Sequence, residues 1–119
     1  IAGQSYMLLK DKTQHVERVA VGRMTEDGHP QFSPDGKWVI TDTYPDKRHE
    51  QTLILCDWEN KKRIDVAKFN SLPKGFLNDW DTSEMRSDLH PRWNKDGTKV
   101  CVDSVDGETR QVFIINVRG

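Results

Sequence analysis

His29-Pro30-Gln31-Phe32-Ser33-Pro34-Asp35-Gly36-Lys37 returns later in the chain as His90-Pro91-Arg92-Trp93-Asn94-Lys95-Asp96-Gly97-Thr98. The correspondence runs on: Val39 answers to Val100 and Asp42 to Asp103. After a short slippage, Gln51-Thr52-Leu53-Ile54-Leu55 answers to Arg110-Gln111-Val112-Phe113-Ile114. His-Pro, an aromatic, Asp-Gly, Val and Asp in one order, twice, is the signature of an internal repeat, and a repeat decides architecture before any single element does.

Each part of the repeat has a physical reading. Pro30 opens a short strand at a position where its missing N–H costs no ladder bond. Ser33-Pro34-Asp35-Gly36 is a tight turn, in which proline presets φ, aspartate bonds the turn backbone and glycine accepts positive φ. Trp38 to Asp42 returns as a second strand, Tyr44 to Glu50 is a polar loop, and Thr52 to Cys56 is a third strand. Glu59-Asn60-Lys61-Lys62 turns the chain into Arg63 to Ala67, whose alternation of polar and apolar residues suits a half-exposed fourth strand. Tyr6 to Leu9, Asp11 to Gln14 and Val16 to Val19 resemble the third strand, turn and fourth strand of a preceding unit. The carboxyl terminus stops after Val112 to Ile115, the third strand of the last one. Asn78 to Arg86 has room for one polar helical turn at most.

Four-stranded antiparallel units repeated in this way predict an all-β fold, a partial β-propeller of about two and a half blades. Residues 1–24 are the end of one blade, 29–69 a full blade, 70–89 an inserted loop and 90–119 an incomplete blade. A small sandwich of similar strands is the alternative. A propeller closes with about four blades or more, so this array leaves strand edges and faces open. Further blades or self-association are therefore expected to cover them. The chain begins at Ile1 with no basic-then-apolar leader behind it, which reads as a start inside a longer polypeptide.

Composition agrees with short, half-exposed strands: 31% of residues are charged and 34% hydrophobic. A formal net charge of −1 provides no field of one sign, so neither nucleic acid nor an acidic membrane surface is an expected partner. No apolar run approaches the ~20 residues of a membrane span. Cys56 and Cys101 sit in apolar strand runs and read as buried thiols, and no Cys-x-x-Cys pair is present. A Gly-x-Ser-x-Gly elbow, a phosphate-cradling glycine loop and a His-Glu-x-x-His helix are all missing from the sequence.

The His-Pro-x-aromatic-Ser-Pro-Asp-Gly-Lys block resembles the repeats of TolB-like propellers. The fuller string from His29 to Asp46, followed by Asp88-Leu89-His90-Pro91-Arg92-Trp93, resembles the oligogalacturonate-lyase-like group of seven-bladed propellers. That resemblance implies action on acidic or plant-type oligosaccharides by β-elimination, with a divalent metal (manganese or calcium) and most of the active site outside these residues. It also implies a periplasmic or secreted location. The group's metal cluster includes a Gln-x-x-His-x-His segment before a blade's first strand. Here the corresponding run is Met85-Arg86-Ser87-Asp88-Leu89-His90, in which His90 matches the last histidine, Asp88 stands for the other and Met85 for the glutamine. The rival implication, from the TolB-like side, is a non-catalytic platform that binds a protein partner. A third is the propeller half of a prolyl-oligopeptidase-type peptidase.

Read from the residues, Asp88 and His90 are the candidate metal ligands, because alternate residues of an extended segment share a face. A carboxylate with an imidazole suits a divalent cation. The structural counterpart is that His90 caps a strand start and Asp88 bonds loop N–H groups. His29, Asp42 and Asp103 occupy repeated positions near the same end, where hydrogen bonding between blades is the expected use of the aspartates. Lys47, Arg48 and His49, in a loop that also holds Tyr44, are candidate contacts to an acidic sugar, or else part of a solvated turn. Val21 to His29 spans 8 steps but Phe69 to His90 spans 21, long for a tight connection. That longer connection carries Trp80, which can stack on a sugar ring or pin the loop to a neighbouring blade.

Overall fold

The computed structural model describes residues 6–19, 27–72, 87–106 and 109–117. Within them every regular element is a strand: β1 (Tyr6–Leu9), β2 (Val16–Val19), β3 (Gln31–Phe32), β4 (Trp38–Asp42), β5 (Glu50–Asp57), β6 (Lys62–Asn70), β7 (Arg92–Trp93), β8 (Lys99–Asp106) and β9 (Thr109–Asn116). They form three antiparallel sheets in chain order: β1-β2, then β3-β4-β5-β6, then β7-β8-β9. The fold is all-β, and no described helix is long and apolar enough to cross a membrane. The segment with Asn78 to Arg86, and Trp80 within it, lies outside the described residues.

The tight turns form for the reasons their residues imply. Ser33 Oγ donates to Asp35 Oδ1 at 2.6 Å and accepts from Trp38 N at 3.1 Å, while Lys37 N donates to Asp35 Oδ1 at 2.9 Å. Gly36 completes the turn with φ of 74°, a conformation that glycine adopts without steric cost. In the second copy Asn94 takes the place of Ser33. Its Oδ1 accepts from Thr98 N at 3.0 Å and Lys99 N at 3.1 Å. Gly97 repeats the positive φ at 73°. Two different side chains thus serve one backbone geometry, because each supplies an acceptor at the same place.

The third and fourth strands are longer than the alternation suggests: β5 runs from Glu50 to Asp57 and β6 from Lys62 to Asn70. The ladder extends because their pairing continues past the apolar run, with a register shift at Leu53/Ile54 where Ala67 and Asp65 are the successive partners. Val66 is the extra residue of that bulge, which lets the ladder twist without breaking.

The sheets pack face to face. Ile40, Leu53 and Leu55 from the four-stranded sheet meet Val100 and Val102 of β8 and the loop residue Leu89 in one buried cluster. Phe69 and Phe113 lean together across it with ring centroids 5.7 Å apart. Burying each such aliphatic chain stabilises the fold by about 1.5–3 kcal/mol. The other face of the four-stranded sheet buries Val39, Ile54 and Cys56, with Tyr6 and Trp58 packed against them. Tyr6 Oη lies 2.9 Å from Thr41 Oγ1, a hydrogen bond that ties β1 to β4. Between the larger sheets, Trp93 donates from its backbone N to Gln31 Oε1 and from its indole Nε1 to Gln31 O, both at 3.0 Å. This contact sets β7 beside β3, so the residues just before the two short strands face each other.

Candidate functional site

Those preceding residues are the two histidines of the repeat. His29 and His90 stand with ring centroids 4.0 Å apart and planes inclined by 39°. Asp88 joins them: one ligand atom from each of His29, Asp88 and His90 lies within 4.8 Å of the others. Two imidazoles and a carboxylate at that spacing are a donor set for a divalent cation.

The backbone that delivers His29 is held closely. A Cβ on Gly28 would lie 1.8 Å from the carbonyl oxygen of Asp42, so only glycine lets the chain pass over the end of β4. The carboxylate of Asp42, 1% exposed, then organises both histidines. Oδ1 accepts from His29 N at 2.7 Å, and His29 Nδ1 lies 3.0 Å from both carboxylate oxygens. Oδ2 also accepts from His90 N across the sheets at 3.3 Å. A carboxylate only accepts, so His29 donates from Nδ1, and in the neutral imidazole this arrangement leaves Nε2 as the acceptor nitrogen. This carboxylate–histidine arrangement is the usual support for a metal-ligating imidazole.

Asp88 is steadied by Gln51, whose Nε2 donates to Asp88 Oδ1 at 3.4 Å. Gln51 is fully buried in β5, and its Oε1 has no hydrogen-bond partner among the described residues. Tyr44 meets the edge of His29 at 5.4 Å between centroids. His90 adopts φ of 44°, a left-handed conformation that costs a non-glycine residue about 1–3 kcal/mol and concentrates at functional positions.

Asp103, the repeat counterpart of Asp42, has a different role. It is 44% exposed and pairs with Arg92, at 3.1 Å from Nη1 and 3.2 Å from Nη2. Arg92 occupies the place of Gln31, so the charge pair forms where the first repeat has a neutral amide. The Asp103 carboxylate holds the Arg92 guanidinium above its ordinary range.

The structure brings Asp88 and His90 together and adds His29, Asp42 and Gln51, which the metal reading of the sequence did not include. The signal was present in the repeat: two histidines at equivalent positions of successive units meet when the units pack in parallel order. Lys47 and Arg48 are exposed, in a loop closed by Asp46, whose Oδ1 accepts from Arg48 N at 2.8 Å and Glu50 N at 3.0 Å. His49 sits there with φ of 61°, and its carbonyl accepts from Ser71 N at 2.8 Å. Trp80 lies outside the described residues. No family model, curated protein or solved structure matches the chain.

Proposed function

We propose that this chain is part of a β-propeller that binds a divalent cation at His29, Asp88 and His90 and, beside it, an acidic oligosaccharide of the uronate class. The observation that carries the reading is the cluster itself: three donors within 4.8 Å, with Asp42 fixing the tautomer of His29 from beneath. The donors fit such a group. Imidazole with carboxylate suits manganese better than calcium, which takes oxygen ligands almost throughout. Gln51 supports the carboxylate of the set by donating from Nε2 to Asp88 Oδ1.

A bound cation would supply electrostatic stabilisation of a uronate carboxylate and so acidify the adjacent C–H. In the corresponding β-elimination a base takes that proton, its electron pair becomes the new C=C bond, the C–O bond to the glycosidic oxygen breaks, and an acid protonates the leaving oxygen. The residues of this chain have the part of holding and orienting. Asp42 keeps Nε2 of His29 directed for ligation, Gln51 steadies Asp88, and Tyr44 fixes the imidazole plane. Lys47 and Arg48, exposed on the loop that follows Tyr44, offer cations for a second carboxylate of the oligomer.

Calorimetric titration with manganese, and then with a galacturonate oligomer, tests this. Manganese binding is expected in the parent chain, weakened at least tenfold in His29→Ala and in Asp88→Ala and unchanged in Arg48→Ala. Oligomer binding is expected to weaken in Arg48→Ala. A parent chain that binds neither ligand overturns the proposal, and oligomer affinity unchanged by Arg48→Ala removes the loop from it.

A further inference from the structure

The contact between the four- and three-stranded sheets is made by defined positions of the repeat. On the four-stranded side it uses Ile40, Leu53 and Leu55, which are 0%, 0% and 5% exposed. The repeat and the ladder registers carry these to Cys101, Val112 and Ile114: Ile40 pairs with Leu55 just as Cys101 pairs with Ile114, and Asp42 with Leu53 just as Asp103 with Val112. In the last sheet this same face is uncovered, with Val112 62% and Ile114 71% exposed.

The opposite face is uncovered at the other end. In the four-stranded sheet it consists of Val39, Ile54 and Cys56, which are buried where Tyr6 packs against them. Tyr6 and Leu8 occupy the places of Leu53 and Leu55 in the first sheet, and Met7 and Leu9 those of Ile54 and Cys56. The alternation of exposure along β1 follows this assignment: Tyr6 and Leu8 are half-buried, while Met7 is 52% and Leu9 67% exposed. Val16, which pairs with Leu9, is exposed beside them.

Both halves of the internal sheet–sheet contact therefore stand open on one molecule. We infer that a second copy of this chain docks head to tail, with the Val112/Ile114 face of one copy on the Met7/Leu9 face of the next. The argument for this occupant is continuity with an interface the molecule already makes. The open faces carry the positions of that interface, with exposed apolar side chains on both sides beside the Arg92–Asp103 pair on one and Arg18 on the other, and a second copy is certain to present the complementary one. Such a contact is heterologous, so it does not stop at two copies; it closes into a ring or grows as a filament according to the rotation per copy. It rests on different residues from the histidine cluster.

Light-scattering mass of the 119-residue chain, over a concentration series with chelator present, tests the inference without reference to metal. The expected result is a mass above one chain that rises with concentration or settles at a ring. Ile114→Lys blocks one face and Leu9→Lys the other; each variant alone is expected to run as a single chain, and their equimolar mixture as a pair. Val112→Glu and Met7→Glu repeat the experiment with the opposite charge, and circular dichroism selects the folded variants for mixing. A parent chain with the mass of one copy at every concentration overturns the inference. So does a Leu9→Lys chain that still pairs while Ile114→Lys does not, since that pattern means edge-to-edge pairing of β9 with β9. A mixture that remains at one copy, or association indifferent to all four substitutions, overturns it equally.

Discussion

Asp42 and His29 are joined twice, once through the backbone N–H of His29 at 2.7 Å and once through its ring Nδ1 at 3.0 Å. The backbone contact fixes where the residue sits, and the ring contact fixes how the imidazole points and which nitrogen is free. A third bond, from His90 N at 3.3 Å, makes the same carboxylate the link between two sheets. Because Asp42 is buried, its removal leaves the backbone and ring donors of His29 and the backbone N–H of His90 without their shared acceptor in a part-buried place.

Asp42→Ala is therefore expected to lower stability by about 1–3 kcal/mol, the cost of removing the common acceptor of three part-buried donors. Metal affinity should fall by about 10–100-fold, as for other carboxylates that orient a ligating histidine. Asp42→Asn retains one acceptor oxygen and should lie between. Urea-unfolding midpoints and manganese titrations read the two effects separately, and an Asp42→Ala chain as stable as its parent contradicts the account.

Gly28→Ala should disturb the cluster more than Gly36→Ala, although Gly36 is the residue with positive φ. A Cβ at Gly28 meets the Asp42 carbonyl oxygen at 1.8 Å, so backbone must move, whereas a Cβ at Gly36 has nothing within 4 Å. The Gly36 change carries conformational strain of about 1 kcal/mol or somewhat more. Thermal unfolding of the two variants ranks them, and the imidazole proton shifts of His29 report the displacement directly.

The two thiols should differ in reactivity. Cys56 is fully buried, and burial pushes its thiol above the ordinary range, which keeps the thiolate scarce. Cys101 is partly exposed, on the side of its sheet where Arg92 Nη2 lies 3.0 Å from its Sγ, so a reagent can reach it. One equivalent of a thiol reagent is expected to react under native conditions and a second only in denaturant. Peptide mapping that finds Cys56 modified first would contradict this order.

Acid should weaken the fold through its turn aspartates. Asp46, Asp57 and Asp96 are each held below the ordinary carboxylate range: Asp46 by the backbone N–H groups of Glu50 and Arg48, Asp57 by Asn60, and Asp96 by Thr98. A depressed folded value means that the unfolded chain binds protons first. The contribution is therefore complete above the unfolded carboxylate value of about 4 and is lost as pH falls through the lower folded value. Urea unfolding from neutral pH downward is expected to show a modest, gradual loss below about pH 4, since all three carboxylates are solvent-exposed. Asp96→Asn should make that decline shallower by lowering stability at neutral pH, where the carboxylate's contribution is complete, and not in acid, where it is already lost.

Much of this was legible in the residues alone. The turns Ser33–Gly36 and Asn94–Gly97 and the strands they join are local, set by proline, glycine and short acceptor side chains within a few positions. The apolar runs then had no choice but to pair, so the all-β class and the order of sheets were open to reading. Asp88 and His90 were also accessible, because two residues of one extended segment share a face whatever surrounds them.

The partners of that segment were not accessible in the same way. The repeat marked His29 and His90 as equivalent, but equivalence does not bring side chains together; the packing of Ile40, Leu53 and Leu55 against Val100 and Val102 does. Asp42 and Asp103 share one place in the repeat, yet the first is buried beneath two histidines and the second is half-exposed and paired with Arg92. The amino-acid order by itself determined the strands, the turns and the repeat, since those follow from torsional preference and hydrophobic alternation over neighbouring residues. Only the tertiary structure decided which aspartate organises the site, because that depends on which sheet covers which, and a carboxylate acts as a buried anchor only where another sheet excludes water from it.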